Sequence, residues 1–228
     1  PIAQALVVCP TRELCLQITK DLENFKGKYK IRVTAVYGGS SIVMQIRDLK
    51  KGTHIVVATP GRLIDLIERK AIDLSRIHYV VLDEADEMLN MGFRDDIEFI
   101  LGNTPIRQST WLFSATMPPE VKQVSRKYMQ QPFEVTIGKA NAANTNIDHQ
   151  FYLTSHVNRY QTLKRIIDFN PGIYGIIFTR TKADAQEITE KLIREGYDIE
   201  ALHGDLTQPQ RDKVMSRFRE KNLQLLIA

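Results

Sequence analysis

The sequence predicts an α/β fold of two lobes, each built around a parallel sheet. Three observations predict it. Short apolar runs alternate with segments whose apolar residues recur at three- and four-residue steps, the marks of strands and of amphipathic helices. The strand candidates are apolar at nearly every position, as in sheets buried on both faces, and their alternation with helices calls for parallel pairing. The pattern breaks once, at 138–149 (GKANAANTNIDH), a small and polar stretch read as a linker. The expected organisation is a first lobe over 1–137, a linker over 138–149 and a second lobe over 150–228.

In the first lobe, ALVVCP reads as a strand. RELCLQITKDLENF follows as a helix with Leu14, Ile18, Leu22 and Phe25 on one face. IRVTAVYGG is the next strand, SIVMQIRDLK a helix, THIVVATP a strand and RLIDLIERK a helix. IHYVVLDEAD leads into a helix in FRDDIEFILG, QSTWLFSATMP into one in EVKQVSRKYM, and FEVTI is expected as a closing strand. The second lobe restarts with QFYLTS and a helix after Ser155. It continues with IYGIIFTR and a helix after Thr181, IEALHG and a helix after Thr207, and finally LQLLIA. Thr181 with Asp184, and Thr207 with Gln210, stand three residues apart and suit capping boxes. Pro209 is tolerable in a first helical turn, where its missing N–H has no intrahelical partner to lose.

Composition is that of a globular protein, with 43% hydrophobic and 25% charged residues, which argues against disorder. Lys and Arg exceed Asp and Glu by 31 to 27, a mild excess that permits a polyanionic partner without requiring one. Cys9 and Cys15 are the two cysteines, too few for a disulfide framework and without companion ligands for zinc. A reducing, cytoplasmic setting is expected. No apolar run reaches the ~18 residues of a membrane span, and no signal peptide is read. PIAQALVVCP at the start and LQLLIA at the end both read as cuts.

Polar stretches follow the strand candidates directly: PTREL, YGG, TPGR, DEAD, SAT, FTRT and HGD. Ligands of open parallel sheets collect at the carboxyl ends of the strands, so each lobe should gather these residues along one edge. The acidic run is the most telling. Carboxylates cost free energy wherever water is excluded, so Asp83, Glu84 and Asp86 need solvent, a cation or donors. An aspartate ending an apolar strand suits magnesium beside the phosphates of a nucleotide. Glu84 is then placed to orient or deprotonate a water, and Ser114 and Thr116 can offer hydroxyls to Asp86. A solvated acidic turn opening a helix near Glu87 is the alternative. The phosphate-cradling run G-x-x-x-x-G-K-[ST] is absent, and Gly138–Lys139 lacks both its earlier glycine and its following hydroxyl residue.

PTREL, GG, TPGR, DEAD, SAT, IIFTRT and HGDLTQPQR stand in the order and spacing of DEAD-box ATP-dependent RNA helicases. LDEADEMLNMGF is similar to bacterial members. The resemblance covers essentially the whole chain. It implies two RecA-like lobes of the P-loop NTPase type, ATP and Mg2+ as cofactors, and RNA-stimulated ATP hydrolysis coupled to lobe closure and local duplex unwinding. It also implies that the adenine-recognising segment and phosphate loop precede Pro1 and that an arginine finger lies beyond Ala228. Both lobes are then incomplete and the chain is expected to be an inactive fragment. By the same resemblance Asp83 holds magnesium, directly or through water, and Glu84 addresses the attacking water. Asp86, Ser114 and Thr116 link nucleotide state to closure. Thr11, Arg12, Gly38, Gly39, Thr59, Gly61 and Arg62 form the RNA surface of the first lobe. Thr179, Arg180, Gly204, Asp205, Gln208 and Arg211 contact RNA or the opposite lobe.

Arginines, helix-start N–H groups and close-approaching glycines suit tracking of a phosphate backbone. No cluster of base-edge readers is evident, so RNA binding should be sequence-independent and salt-sensitive. Simpler readings stand beside these. TPGR and Gly38–Gly39 also suit plain turns, and Gln208 and Arg211 also suit an exposed helix face. His203 is read as structural or interfacial, Trp111 as core, and Lys26–Lys30 as a solvated loop. Two rival functions remain open, a non-catalytic RNA-binding scaffold and a DNA translocase of the same superfamily. Protein partners are not legible.

Overall fold

The computed structural model describes residues 2–137 and 147–228; most of the expected linker, 138–146, lies outside the described residues. The chain divides into two compact units, Pro1–Asn144 and Thr145–Ala228.

The first unit is built on strands β1 (Ala5–Val8), β2 (Val33–Val36), β3 (Ile55–Ala58), β4 (Tyr79–Leu82) and β5 (Ser109–Leu112). They are parallel and ordered β2-β3-β1-β4-β5. Helices α1 (Arg12–Phe25), α2 (Ile42–Lys50), α3 (Pro60–Glu68), α4 (Ala85–Asn90), α5 (Arg94–Gly102) and α6 (Pro119–Tyr128) cover the sheet. Successive strand residues point to opposite faces, and the middle strands are apolar toward both. Leu6 stands level with Val56 and Val80, and all three are fully buried with Leu63, Leu66, Met88 and Ile100. On the other face, Val7 and Val57 meet Cys9, Cys15 and the Leu14–Ile18–Leu22 stripe of α1. Burying a side chain of this kind contributes roughly 1.5–3 kcal/mol, so the two clusters hold β1 and β3 from both sides.

Strand order fixes where a ligand can enter. From β1 the chain crosses to β2 at one edge, whereas from β4 it crosses to β5 at the other. Neighbouring strands whose connections leave in opposite directions open a crevice at their carboxyl ends. Here that crevice lies between the residues after Val8 and those after Leu82.

The second unit has strands β6 (Gly175–Ile177), β7 (Ile199–Ala201) and β8 (Leu225–Ile227), parallel and ordered β6-β8-β7. Helices α7 (Arg159–Phe169), α8 (Lys182–Arg194) and α9 (Gln208–Arg219) pack on it, α7 after a short 3-10 turn at His156–Asn158. Thr181 caps α8 by accepting the Asp184 N–H at 3.1 Å, and Gln210 returns to the Thr207 N–H at 2.8 Å at the start of α9. Ile167, Ala185, Leu192, Ile199, Leu225 and Ile227 form its main core.

Four expectations are corrected. FEVTI is not a strand, and Phe133 and Ile137 are 92% and 96% exposed, because no described strand lies alongside to pair with them. QFYLTS is not a strand for the same reason, with Phe151 and Leu153 in the open. Trp111 is 56% exposed because β5 is an edge strand, beside a cavity of about 690 Å³ lined also by Phe113, Tyr128, Phe133 and Val135. Phe25, the last residue of α1, is exposed and does not join the partly buried stripe of Leu14, Ile18 and Leu22.

Candidate functional site

Every polar stretch of the first unit does lie at the carboxyl end of its strand. Thr11 follows β1, Gly38 and Gly39 follow β2, Thr59, Gly61 and Arg62 follow β3, Asp83 to Asp86 follow β4, and Ser114 and Thr116 follow β5. The parallel sheet makes this unavoidable.

The acidic run divides into two environments. Asp83 is half-buried, its backbone N–H held by Val8 O at 2.9 Å across the β1–β4 crevice. Its Oδ1 accepts the Glu84 N–H at 3.0 Å. Glu84 is exposed and left-handed, with φ 50° and ψ 51°. A non-glycine residue in that region costs of order 1 kcal/mol or more and persists where its surroundings hold it. They do so here, because the Glu84 N–H is bonded to Asp83 and the next, that of Ala85, donates to Phe113 O at 3.0 Å. The turn thereby leaves the Glu84 side chain in solvent at the crevice.

Asp86 is buried instead, 9% exposed. Its Oδ2 accepts the Thr116 hydroxyl at 2.6 Å and the Thr116 N–H at 2.9 Å, while its own N–H donates to Ser114 Oγ at 3.2 Å. The Ser114 hydroxyl donates a hydrogen bond to Thr116 O at 2.6 Å. Burial alone would raise the Asp86 pKa. The Thr116 and Ser114 hydroxyls and the N–H groups of Thr116 and Glu87 outweigh burial and hold it below the usual carboxylate value. The expected hydroxyl partners are therefore in contact, and DEAD and SAT form one fastened element.

Among the described residues no group of three or more His, Cys, Asp or Glu side chains converges to hold a metal ion. A lone half-exposed carboxylate nonetheless fits magnesium, which is commonly held by one or two carboxylates with water and phosphates completing its shell.

The remaining first-unit residues make a second constellation. Thr11 caps α1 by accepting the Leu14 N–H at 3.2 Å. The Arg12 guanidinium lies 5.2 Å from the centre of the Tyr37 ring. Gly39 has φ 74°, which a residue with a Cβ adopts only under strain. Pro60, Gly61 and Arg62 are the first turn of α3 and not a free turn. Arg62 Nη1 donates to Ser40 O and to Gln45 Oε1, both at 3.0 Å, so part of its donor set is spent on protein. Gln45 itself was not among the expected site residues. The signal was there: it interrupts the apolar stripe of α2 formed by Ile42, Ile46 and Leu49.

In the second unit, Thr179 donates its N–H to Ala228 O at 2.7 Å, tying the ends of β6 and β8, and Arg180 is exposed beside it. Asp205 is bound by Lys182, whose hydrogen bond and charge keep its carboxyl acidic. Arg211 donates to Gly204 O at 2.9 Å, joining HGD to the start of α9, and Gln208 donates to Asp212 at 3.0 Å. Arg211 Nε and His203 Nδ1 are buried without a hydrogen-bond partner.

Comparison with known proteins agrees with this geometry. The family model "DEAD/DEAH box helicase" matches residues 2–124, and "Helicase conserved C-terminal domain" matches 158–228. The chain is 44% identical over its full length to the DEAD-box ATP-dependent RNA helicase CshA of Bacillus licheniformis, covering 47% of it. It is 42% identical to the ATP-dependent RNA helicase DeaD of Mycobacterium tuberculosis, covering 40%. The chain thus spans about half the length of these curated relatives or less. Among solved structures, a DEAD box protein from Methanococcus jannaschii is 38% identical with a TM-score of 0.58; all of this chain aligns with 61% of that one. Saccharomyces cerevisiae Dbp5 bound to RNA and ADP BeF3 is 29% identical with a TM-score of 0.83, over 99% of this chain and 57% of that one. The RecA-like fold follows from these neighbours, and the chain belongs to the DEAD/DEAH box helicase family.

Proposed function

We propose that the whole protein is a cytoplasmic ATP-dependent RNA helicase in which RNA-stimulated ATP hydrolysis is coupled to lobe closure and local unwinding of short duplexes. The observation that carries this reading is the divided acidic run: Glu84 held in the left-handed region with its side chain in solvent, and Asp86 fastened to Thr116 two residues on. Asp83 would hold Mg2+, which when bound neutralises charge developing on the transferred phosphoryl group. Glu84 orients the attacking water and takes its proton. Asp86, with Ser114 and Thr116, transmits a displacement of the β4 end to the β5 end, because the two loops share hydrogen bonds.

RNA lies along Thr11, Arg12, Gly38, Gly39, Thr59, Gly61 and Arg62 in the first unit. Thr179, Arg180, Gly204, Asp205, Gln208 and Arg211 serve RNA or the opposing lobe. Phosphate contacts of this kind carry no sequence information, so affinity should be even across sequences and fall with salt.

The test is magnesium-dependent ATP hydrolysis with and without RNA, by this chain and by one of the length of its relatives. RNA-stimulated turnover by the longer chain, with RNA binding but no turnover by the 228 residues, is expected. Absence of RNA stimulation in the longer chain overturns the helicase reading. Equal competition by a matched DNA strand favours a DNA translocase instead, since 2′-hydroxyl contacts are what separate RNA from DNA.

A further inference from the structure

We infer that Gln45 is a positioning residue for RNA binding: a buried amide that sets the Arg62 guanidinium and locks three loops of the RNA face into one register. The inference rests on the proposed RNA surface and deepens it, because Gln45 belongs to none of the stretches that surface was read from. Gln45 is 6% exposed, at the middle of α2 and on its apolar side. A buried amide is costly unless its donors and acceptor are used. Here both ends are used. Its Nε2 donates to Tyr37 O at 3.0 Å, at the end of β2 just before Gly38 and Gly39. Its Oε1 accepts from Arg62 Nη1 at 3.0 Å, in the first turn of α3.

The same Nη1 also donates to Ser40 O at 3.0 Å, so its two hydrogens are committed, one to the loop after β2 and one to Gln45 in α2. A guanidinium is planar with its donors in a rigid fork, so fixing Nη1 fixes the direction of Nε and Nη2, which remain for a phosphate. Tyr37, whose carbonyl Gln45 holds, carries the Arg12 guanidinium over its ring. One side chain thereby connects the arginine after β1, the glycine loop after β2 and the arginine after β3. Without it Arg62 must be ordered at the moment of binding, an entropy cost that otherwise is met during folding.

The experiment is a double-mutant cycle on the 228-residue chain, with affinity for a short labelled oligouridylate measured at fixed salt. Gln45→Met keeps length and lacks both donor and acceptor. In the wild-type background it should weaken binding about tenfold, the scale of one lost charge-assisted hydrogen bond. In the Arg62→Ala background the same change should cost less than about twofold, because an interaction acting through Arg62 is non-additive. Equal losses in both backgrounds, or no loss in either, overturn the inference. If Gln45→Met does not fold, Gln45→Leu carries the same cycle with the same outcomes, because it too lacks donor and acceptor. No binding by the folded wild-type chain at low salt overturns the RNA reading itself, a result distinct from binding that ignores Gln45.

Discussion

Replacing Thr116 by valine removes one hydroxyl and almost no volume, and it isolates the fastening of Asp86. The 2.6 Å hydrogen bond to Oδ2 is lost, while the Thr116 N–H at 2.9 Å remains. Hydrogen bonds to charged groups contribute about 1.5–3 kcal/mol. Thr116 is itself exposed and the N–H survives, so about 1–2 kcal/mol is expected at neutral pH. With a urea slope near 2 kcal/mol/M, the midpoint should fall by about 0.5–1 M. Trp111 is the single tryptophan and stands in β5 three residues before Ser114, so its fluorescence follows the unit that holds Asp86.

The pH dependence has a definite sign. The folded pKa of Asp86 lies below its unfolded value, so its contribution is full above the ordinary carboxylate range and is lost as pH falls through the lowered folded pKa. The difference between wild type and Thr116→Val should therefore be constant near neutrality and shrink below about pH 4. A variant as stable as wild type at pH 7, or a difference that widens in acid, would refute the reasoning.

Glu84→Gln in a chain of the length of the relatives should lower turnover by at least about 10²-fold while leaving ATP and RNA affinity unchanged; near-normal steady-state hydrolysis would remove Glu84 from the water-activating role. Glu84→Gly should abolish turnover too, yet raise the urea midpoint, because glycine adopts φ 50° without a Cβ penalty. A lowered midpoint would show that Glu84 is not strained. Cys9 and Cys15 are fully buried. Each thiol donates to backbone carbonyls, Cys9 to Ala58 O at 3.7 Å and Cys15 to Val57 O at 3.2 Å. Neither should react with a thiol reagent until the first unit unfolds, so labelling and loss of Trp111 signal should coincide; labelling ahead of unfolding contradicts the packing.

What was legible in the sequence follows from what periodicity encodes. Continuous apolar runs such as ALVVCP and HIVVATP announce strands covered on both faces, and β1 and β3 are so covered. Placement of polar residues after each run followed from parallel pairing alone. Edge position was not legible, because a strand is recognised by its own residues whereas an edge is decided by what does not pair with it. Trp111 was misread for that reason, and FEVTI and QFYLTS have strand composition with no described partner. Arg62 was legible as a cation at a helix start, but its two protein acceptors were not, since Ser40 and Gln45 reach it only through the fold. Asp86 was the opposite case: a buried acid demands donors, and SAT was the nearest supply.

The central claim is that the carboxylates ending β4 exist to hold a magnesium nucleotide. A crystal structure of the whole protein with a non-hydrolysable ATP analogue and Mg2+ tests it most directly. The ion should sit beside the Asp83 carboxylate, bonded or one water away, with Glu84 facing the terminal phosphate. An ion and triphosphate bound elsewhere, with Asp83 facing only solvent, would contradict the account.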